Sequence, residues 1–147
     1  MNALKITVFF IFFSHINIHF SQNNKIIPEP YKQTIKQGFF YSIESPEIIT
    51  ESNFNSAATL LKDALKKLNF KSDKKSKNII KFIINKNLDI EEYTLSINPK
   101  EIQIEASSNL GALHAFQSLN QLILFNNEKG VLKILSLIHI SEPTRPY

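Results

Sequence analysis

The stretch SSNLGALHAFQSLNQLI (residues 107–123) directly follows EIQIEA (101–106) and decides the fold of this chain. Its apolar and small residues recur at helical spacing around most of the circumference. Ser107 or Ser108 is placed to cap the first turn, which predicts a helix from about Asn109 to Phe125. A helix that leaves so little polar surface for water has to be covered on more than one side. We therefore expect it to have two packing partners.

The segment before this helix predicts a β-hairpin. EYTLSIN (92–98) alternates apolar and polar residues and places Tyr93, Leu95 and Ile97 on one face. EIQIEA repeats the alternation after a tight turn at Pro99, and a short turn between two alternating strands makes an antiparallel pair. This hairpin provides a first surface for the helix to cover.

Three earlier segments complete the predicted order of elements. Alternation around residues 39–43 predicts a first strand, and the apolar spacing over 53–68 predicts an amphipathic helix. NIIKFIIN (78–85) is nearly all apolar and predicts a central strand. The order strand, helix, three strands, helix indicates an α+β fold over residues 26–126, in which two helices cover one face of a small, largely antiparallel sheet.

The first residues have the layout of a secretory signal peptide. MNALK carries a positive charge, and ITVFFIFF (6–13) is an uncharged apolar run too short to span a membrane as a mature helix. The polar sequence that follows predicts cleavage near Ser21, so residues 1–21 are expected to be removed. The alternative is a buried N-terminal strand.

The last residues, LSLIHISEPTRPY (135–147), do not share the composition of the rest of the chain. They contain its only Arg and two of its six prolines. The string looks like a translated sequencing adapter, so we expect a non-native tail and exclude His139, Glu142 and Arg145 from functional argument. The alternative is a genuine disordered tail. Residues 127–134 are expected to begin the connection to a further domain.

Composition limits the functions that the trimmed chain can have. Removing 21 residues at the start and 13 at the end leaves 113 of the 147, enough for one small domain, with 15 basic and 12 acidic residues. This weak bias does not indicate nucleic-acid binding. The lysine-rich stretch 69–78 predicts a solvated loop, with a basic patch for an acidic ligand as the alternative. The chain has no cysteine, which favours a bacterial periplasmic or secreted protein with no membrane attachment after cleavage.

No group of residues has the spacing of an active site. His114, the one histidine outside the predicted signal peptide and tail, lies in the predicted helix without a second ligand at metal spacing. Glu91 and Glu92, beside Asp89, are paired carboxylates suited to acid–base catalysis, but as neighbours they point to opposite faces and are expected to be solvated. Three scattered glycines cannot form a phosphate-binding loop. We therefore predict no catalytic, cofactor-binding or metal-binding residues.

Two segments resemble the N-terminal domain of family 20 glycoside hydrolases, the β-N-acetylhexosaminidases. They are PEPYKQTIKQGFFY (28–41) and EEYTLSINPKEIQIEASSNLGALHAFQSLNQLI (91–123). The second segment is the more specific, and the residues that match the family's motif in order are Glu91, Tyr93, Leu95, Pro99, Ile102, Ile104, Ala106, Gly111, Ala112, Gln117, Leu119, Gln121 and Leu122. The chain departs from the family at His114 and Ala115, where an aromatic residue is common.

The resemblance implies that catalysis belongs to a barrel of roughly 250 residues that follows this domain. An adjacent Asp–Glu pair acts there: the Glu protonates the leaving oxygen, and the Asp orients the substrate's acetamido group, whose carbonyl is the nucleophile. The parent is then expected to be an exported β-N-acetylhexosaminidase, and this chain an inactive fragment that meets carbohydrate only through the missing barrel. Two alternatives stay open: the same kind of domain from a glucuronidase or α-N-acetylglucosaminidase, and a stand-alone exported interaction domain.

The resemblance also suggests the second partner of the 107–125 helix. Gly111, Ala115, Ser118 and Leu122 form a narrow stripe of mostly small residues that permits close approach to a neighbour. Another row contains Leu113, Phe116, Asn120 and Ile123. We expect one row to cover the sheet and another to face the barrel, so that this fragment leaves an apolar patch exposed on the helix.

Overall fold

Two α-helices and seven strands form within the part of the chain that the structure, a computed structural model, describes: Ile26 and residues 32–70, 76–125, 127–128 and 130–141. In chain order the elements are β1 (Lys32–Ser42), β2 (Glu47–Ile49), α1 (Asn55–Lys66), β3 (Ile79–Ile84), β4 (Tyr93–Ile97), β5 (Glu101–Ala106), α2 (Asn109–Phe125), β6 (Asn127–Glu128) and β7 (Val131–Ser141). A single 3-10 turn, Ser52–Phe54, leads into α1. The predicted signal peptide, residues 1–21, lies outside the described residues.

One sheet contains all seven strands, in the order β1-β7-β4-β5-β3-β2 with β6 beside β7. β2, β3 and β5 pair in parallel, β4 is antiparallel to β5 and β7, and β1 is antiparallel to β7. The strands β2, β3, β5 and β7 therefore run in one direction, and α1 and α2 are crossover helices from β2 to β3 and from β5 to β7. Both crossovers step toward β1, so the right-handed rule places both helices on the same face of the sheet.

The hydrophobic core lies between this face and the helices. Tyr93, Leu95 and Ile97 of β4 are all buried, as the alternation predicted. α2 contacts β4, β5 and β7 as well as α1, so it lies over the middle of the sheet. α1 buries the apolar side that its spacing predicted, namely Ala57, Ala58, Leu61 and Leu65.

The structure confirms the α+β fold and most of the predicted elements. β4 and β5 form the expected antiparallel hairpin, with Leu95 opposite Ile104. β3 lies between β5 and β2, an interior position consistent with its apolar sequence. α2 has the predicted bounds, Asn109–Phe125.

The predicted order of strand, helix, three strands and helix was incomplete, because it lacked β2, β6 and β7. β2 has three residues, too few to show an alternation, and β6 has two. The first strand is also longer than the predicted 39–43, because a bulge between Ile35 and Phe39, with Gly38 at a φ of +100°, interrupts its alternation. Most pairings are antiparallel as predicted, but the β2–β3 and β3–β5 pairs make the sheet mixed.

The sheet continues beyond residue 126, where the sequence pattern placed the end of the domain. β7 lies between β1 and β4, and its Leu132, Ile134 and Leu137 are buried in the core. The fold thus includes most of the segment expected to begin the connection, and part of the segment 135–147. The adapter origin of 135–147 stays a prediction, because strand pairing does not depend on where a sequence comes from.

Candidate interdomain interface

The first turn of α2 is tied to the turn before the hairpin by two serines. Ser108 Oγ accepts hydrogen bonds from the backbone N–H groups two and three residues later, at 3.1 and 3.2 Å, and donates one to the Ile90 carbonyl. Ser107 Oγ donates to the Asp89 carbonyl at 2.7 Å. Of the two predicted caps, Ser108 is therefore the N-cap. The orientation of α2 is fixed against the β3–β4 connection.

Gly111 lets α2 approach this connection closely. A Cβ at this position would lie 2.6 Å from the Glu92 carbonyl oxygen and 3.3 Å from the Ala106 Cβ. The neighbouring atoms belong to the backbone and to a buried strand, so they have little freedom to move. The glycine of the sequence motif, Gly111, therefore allows the helix to pack closely against the hairpin.

The predicted small stripe of α2 faces the core, as close approach requires. Gly111, Ala115, Ser118 and Leu122 are all buried. Ser118 Oγ is 2.6 Å from the Tyr93 hydroxyl, and both residues are buried. This pair gives a buried phenol the hydrogen-bond partner that it needs, which links the middle of the helix to β4.

The opposite side of α2 leaves apolar side chains in solvent. Leu110 is 41% exposed, Leu124 65% and Phe125 62%. At 100° per residue, Leu110, Leu113, Gln117 and Leu124 fall in one row, which we call the outer row; Phe125 lies at its end. The expectation that α2 would leave apolar side chains exposed is therefore confirmed, but the exposed residues lie in neither of the two predicted rows.

The outer row differs from the row predicted with Ile123. Ile123 is buried, and Leu113, Phe116 and Asn120 are only partly exposed. Leu110, Leu124 and Phe125 belong to neither of the rows predicted from the sequence. Their helical spacing was visible, but which side of α2 the sheet covers depends on the position of β4 and β5.

The residues weighed for catalysis lie on α2 and in the turn before β4. His114 is partly buried on α2, and Glu91 and Glu92 lie in the turn before β4, partly buried rather than fully solvated. Glu92 Oε2 accepts a hydrogen bond from the Asp89 N–H at 3.0 Å, so this carboxylate stabilises the turn. Among the residues that the structure describes, no three His, Cys, Asp or Glu side chains are grouped to hold a metal ion.

One carboxylate in the described part of the chain has a clearly shifted pKa. The Lys66 ammonium, 2.9 Å from Asp63 Oδ1, lowers the pKa of Asp63 by a hydrogen bond and by its charge. Both side chains are exposed on α1. A low pKa keeps the carboxylate ionised and suits a surface ion pair rather than a general acid.

Comparison with known proteins connects this arrangement to a family. The model of the family "Glycosyl hydrolase family 20, domain 2" matches residues 23–136. No curated protein sequence matches the chain significantly. No helix in the described ranges is long and apolar enough to cross a membrane.

Several solved structures contain the same fold. A GH20 exo-β-N-acetylglucosaminidase of Vibrio harveyi, in complex with N-acetylglucosamine, matches 84% of this chain with a TM-score of 0.69 and 24% identity. A β-N-acetylhexosaminidase of Bacteroides fragilis matches 81% (TM-score 0.64, 20% identity), and a chitobiase of Flavobacterium johnsoniae matches 82% (TM-score 0.62, 21% identity). The matched regions make up 19%, 24% and 21% of those three chains, so this chain corresponds to about a fifth of their length.

Proposed function

The chain belongs to glycosyl hydrolase family 20, domain 2, and from this premise we propose that it is the non-catalytic N-terminal domain of an exported β-N-acetylhexosaminidase. The observation that carries the proposal is the family match over 23–136, which spans both helices and the sheet up to the middle of β7. The similar structures bear the names exo-β-N-acetylglucosaminidase, β-N-acetylhexosaminidase and chitobiase. Hydrolysis of terminal N-acetylhexosamine is therefore the activity proposed for the full-length parent.

The domain's proposed role is to support a catalytic barrel through the outer row of α2. Leu124 and Phe125 are each more than 60% exposed. Burying a Leu or Phe side chain fully stabilises by about 1.5–3 kcal/mol, so covering the exposed part of these two contributes on the order of 1–2 kcal/mol each. Gln117 lies in the middle of the row and supplies a polar group for a hydrogen bond at the same interface.

The gene sequence downstream of codon 134 tests this proposal. We expect the reading frame to continue into a barrel with an adjacent Asp–Glu pair at the end of a strand. A frame that stops within a few tens of codons would contradict any attached glycosidase. A barrel without the Asp–Glu pair would instead favour another glycosidase, such as a glucuronidase or an α-N-acetylglucosaminidase.

Hydrolysis of an aryl N-acetylglucosaminide, measured by release of its chromophore, tests the same proposal biochemically. The full-length enzyme is expected to release the chromophore, and the 147-residue chain is expected to release none. Turnover by the chain alone, abolished by Glu91→Gln with Glu92→Gln, would contradict the assignment of these two carboxylates to the turn before β4.

Export to the periplasm or medium is part of the same proposal. The apolar run 6–13 has the length of a signal-peptide core, and the family match begins at residue 23, just after the predicted cleavage near Ser21. Mass spectrometry of the protein from its native host is expected to find Gln22 as the first residue. An intact chain that begins at Met1 and stays inside the cell would contradict export.

A further inference from the structure

A groove of about 360 Å³ lies between α1 and β2, the strand at one end of the sheet. Its strand side is lined by Pro46, Ile48 and Thr50, which are alternate residues of the chain. Ile48 pairs with Ile80, which is fully buried, so both side chains lie on the helix-covered face of the sheet. The groove therefore opens on the same face of the sheet as α1, and its two sides look toward each other.

The helix side of the groove is a single strip along α1. Its residues recur at i, i+3, i+4, i+7, i+10 and i+11, which places them within about 120° of the helix circumference. They are Asn55, Ala58, Thr59, Lys62, Leu65 and Lys66. Ala58 and Leu65 are buried, whereas the other four are exposed. The groove thus has an apolar floor and a polar rim.

β2 also presents a strand edge beside the groove. Among the described strands, β2 pairs only with β3. The Glu47 N–H donates to the Asn78 carbonyl at 3.0 Å, so the backbone groups of Glu47 point toward β3. Successive residues of a strand direct these groups to opposite sides, and the N–H and C=O of Ile48 therefore point away from β3. Such an edge is a template for pairing with another extended chain.

One lysine on the rim of the groove is placed to pair with an acidic partner. The Lys66 ammonium is already engaged by Asp63 Oδ1 at 2.9 Å. Lys62, one turn earlier, is exposed and forms no ion pair with a described residue. It lies between Ala58 and Leu65 along the strip. A carboxylate held beside the apolar floor would therefore meet the Lys62 ammonium.

The groove has the length of a short extended peptide. At 3.3 Å per residue, positions 46–50 span about 13 Å. At 1.5 Å per residue, positions 55–66 of α1 span about 16 Å. About five extended residues fit along this length, and every second side chain would face the groove. An aliphatic residue and an acidic residue two positions apart would then match the floor and Lys62.

We propose that this groove binds an extended, acidic segment of another protein, which adds as a strand to the free edge of β2. Main-chain hydrogen bonds to Ile48 supply affinity, and the side chains that enter the groove supply specificity. The aliphatic side chain packs on Ala58 and Leu65, and the carboxylate pairs with Lys62. The groove lies at the edge of the sheet, whereas α2 lies over its middle, so this site does not depend on the proposed contact with the barrel.

NMR titration of the ¹⁵N-labelled 147-residue chain tests the proposal. The probe is a heptapeptide with threonine at its odd positions, glutamate at its centre and valine at its second and sixth positions. This sequence reads the same in both directions, so it suits parallel and antiparallel pairing alike. We expect binding at millimolar concentration or below, with chemical-shift changes concentrated at residues 46–50 and on the strip of α1. The Ile48 N–H should exchange more slowly with solvent when the peptide is bound.

Charge reversal identifies the partner of the peptide's carboxylate. Lys62→Glu is expected to weaken binding at least threefold, and a peptide with lysine at its centre should then bind this variant better than the original peptide does. Lys67→Glu is the matched control, because it makes the same charge change at an exposed position about 140° around the helix from Lys62. The dispersion of the amide spectrum establishes that each variant is folded.

Three results would overturn this site. They are the absence of binding at millimolar peptide, equal effects of Lys62→Glu and Lys67→Glu, and exchange of the Ile48 N–H that saturating peptide does not slow. A fourth concerns the full-length enzyme: if the Ile48 N–H is already protected there and the peptide does not bind, the parent's own chain covers the groove and no separate protein docks. None of these results bears on the proposed function, which the downstream gene sequence tests.

Discussion

Replacing Gly111 by alanine tests whether α2 packs as closely as the structure indicates. The added Cβ would lie 2.6 Å from the Glu92 carbonyl oxygen, whereas real Cβ atoms essentially never come within 3.0 Å of a neighbour, so the helix or the turn has to move by at least 0.4 Å. Ser108 ties the same turn of helix to the Ile90 carbonyl, which resists that movement. Overpacking of this kind costs about 1–3 kcal/mol.

The higher helix propensity of alanine opposes this overpacking cost. In a helix, alanine is favoured over glycine by about 1 kcal/mol. The difference between the two effects is about 0–2 kcal/mol, and we expect Gly111→Ala to lower the free energy of unfolding by that amount. The thermal midpoint should fall by roughly 4 °C for each kcal/mol. Urea unfolding followed by circular dichroism measures the first quantity, and a thermal scan measures the second.

Gln117→Ala is the matched control, because Gln117 is exposed on the same helix. Its effect is expected to stay within about 0.5 kcal/mol. If Gly111→Ala is more stable than the wild type by about 1 kcal/mol, only the helix-propensity gain remains. The close contact with Glu92 would then be wrong.

Three further substitutions test the interior and the surface. Tyr93→Phe and Ser118→Ala are each expected to lower the free energy of unfolding by about 1–2 kcal/mol, because each change removes one member of a buried hydroxyl pair 2.6 Å apart. The double variant should lose less than the sum of the two single losses, and additive losses in urea titrations would argue against the pair. Ser136 is 1% exposed, and its Oγ has no hydrogen-bond partner among the described residues. Ser136→Ala is therefore expected to raise the free energy of unfolding by about 1 kcal/mol, and a decrease in the same titration would refute this. The pKa of Asp63 lies below the ordinary 3.8, so the ion pair with Lys66 stabilises the fold above that pH, and this stabilisation is lost as the pH falls through the lowered pKa. The thermal midpoints of wild type and Asp63→Asn should therefore converge from pH 7 to pH 2. A difference between the two midpoints that widens at low pH would contradict the sign of this effect.

The elements that sequence alone predicted are those whose periodicity is local. α1 and α2 each repeat apolar residues over three or more turns, and β4 and β5 alternate without interruption. β2 has three residues and gains its order from parallel pairing with β3, which no local pattern reveals. β7 does alternate at Leu132 and Ile134, but the register shift opposite Leu95 and Ile97 breaks the pattern further on. The composition of residues 135–147, which include the second half of β7, predicted a non-native tail, so no strand was expected there.

The interface shows the same division between local and distant causes. The small stripe of α2 followed from helical spacing, and so did the expectation that some apolar surface would stay open. The need for glycine at position 111 could not be predicted physically, because the obstructing atom is the carbonyl oxygen of Glu92, nineteen positions earlier in the chain. Likewise, the choice of Ser108 over Ser107 as the N-cap depends on where the Ile90 carbonyl lies.

Cysteine labelling tests the central claim most directly, because this chain contains no cysteine of its own. Leu124→Cys places a thiol on the outer row, and Lys133→Cys places one on β7, which is exposed at that position on the other face of the sheet. In the isolated chain, a maleimide should label both variants at similar rates. In the full-length enzyme, with any barrel cysteines replaced, we expect labelling at Leu124→Cys to slow at least tenfold while Lys133→Cys is unchanged. Equal labelling of Leu124→Cys in the chain and in the full-length enzyme would contradict the claim that the outer row of α2 binds the catalytic barrel.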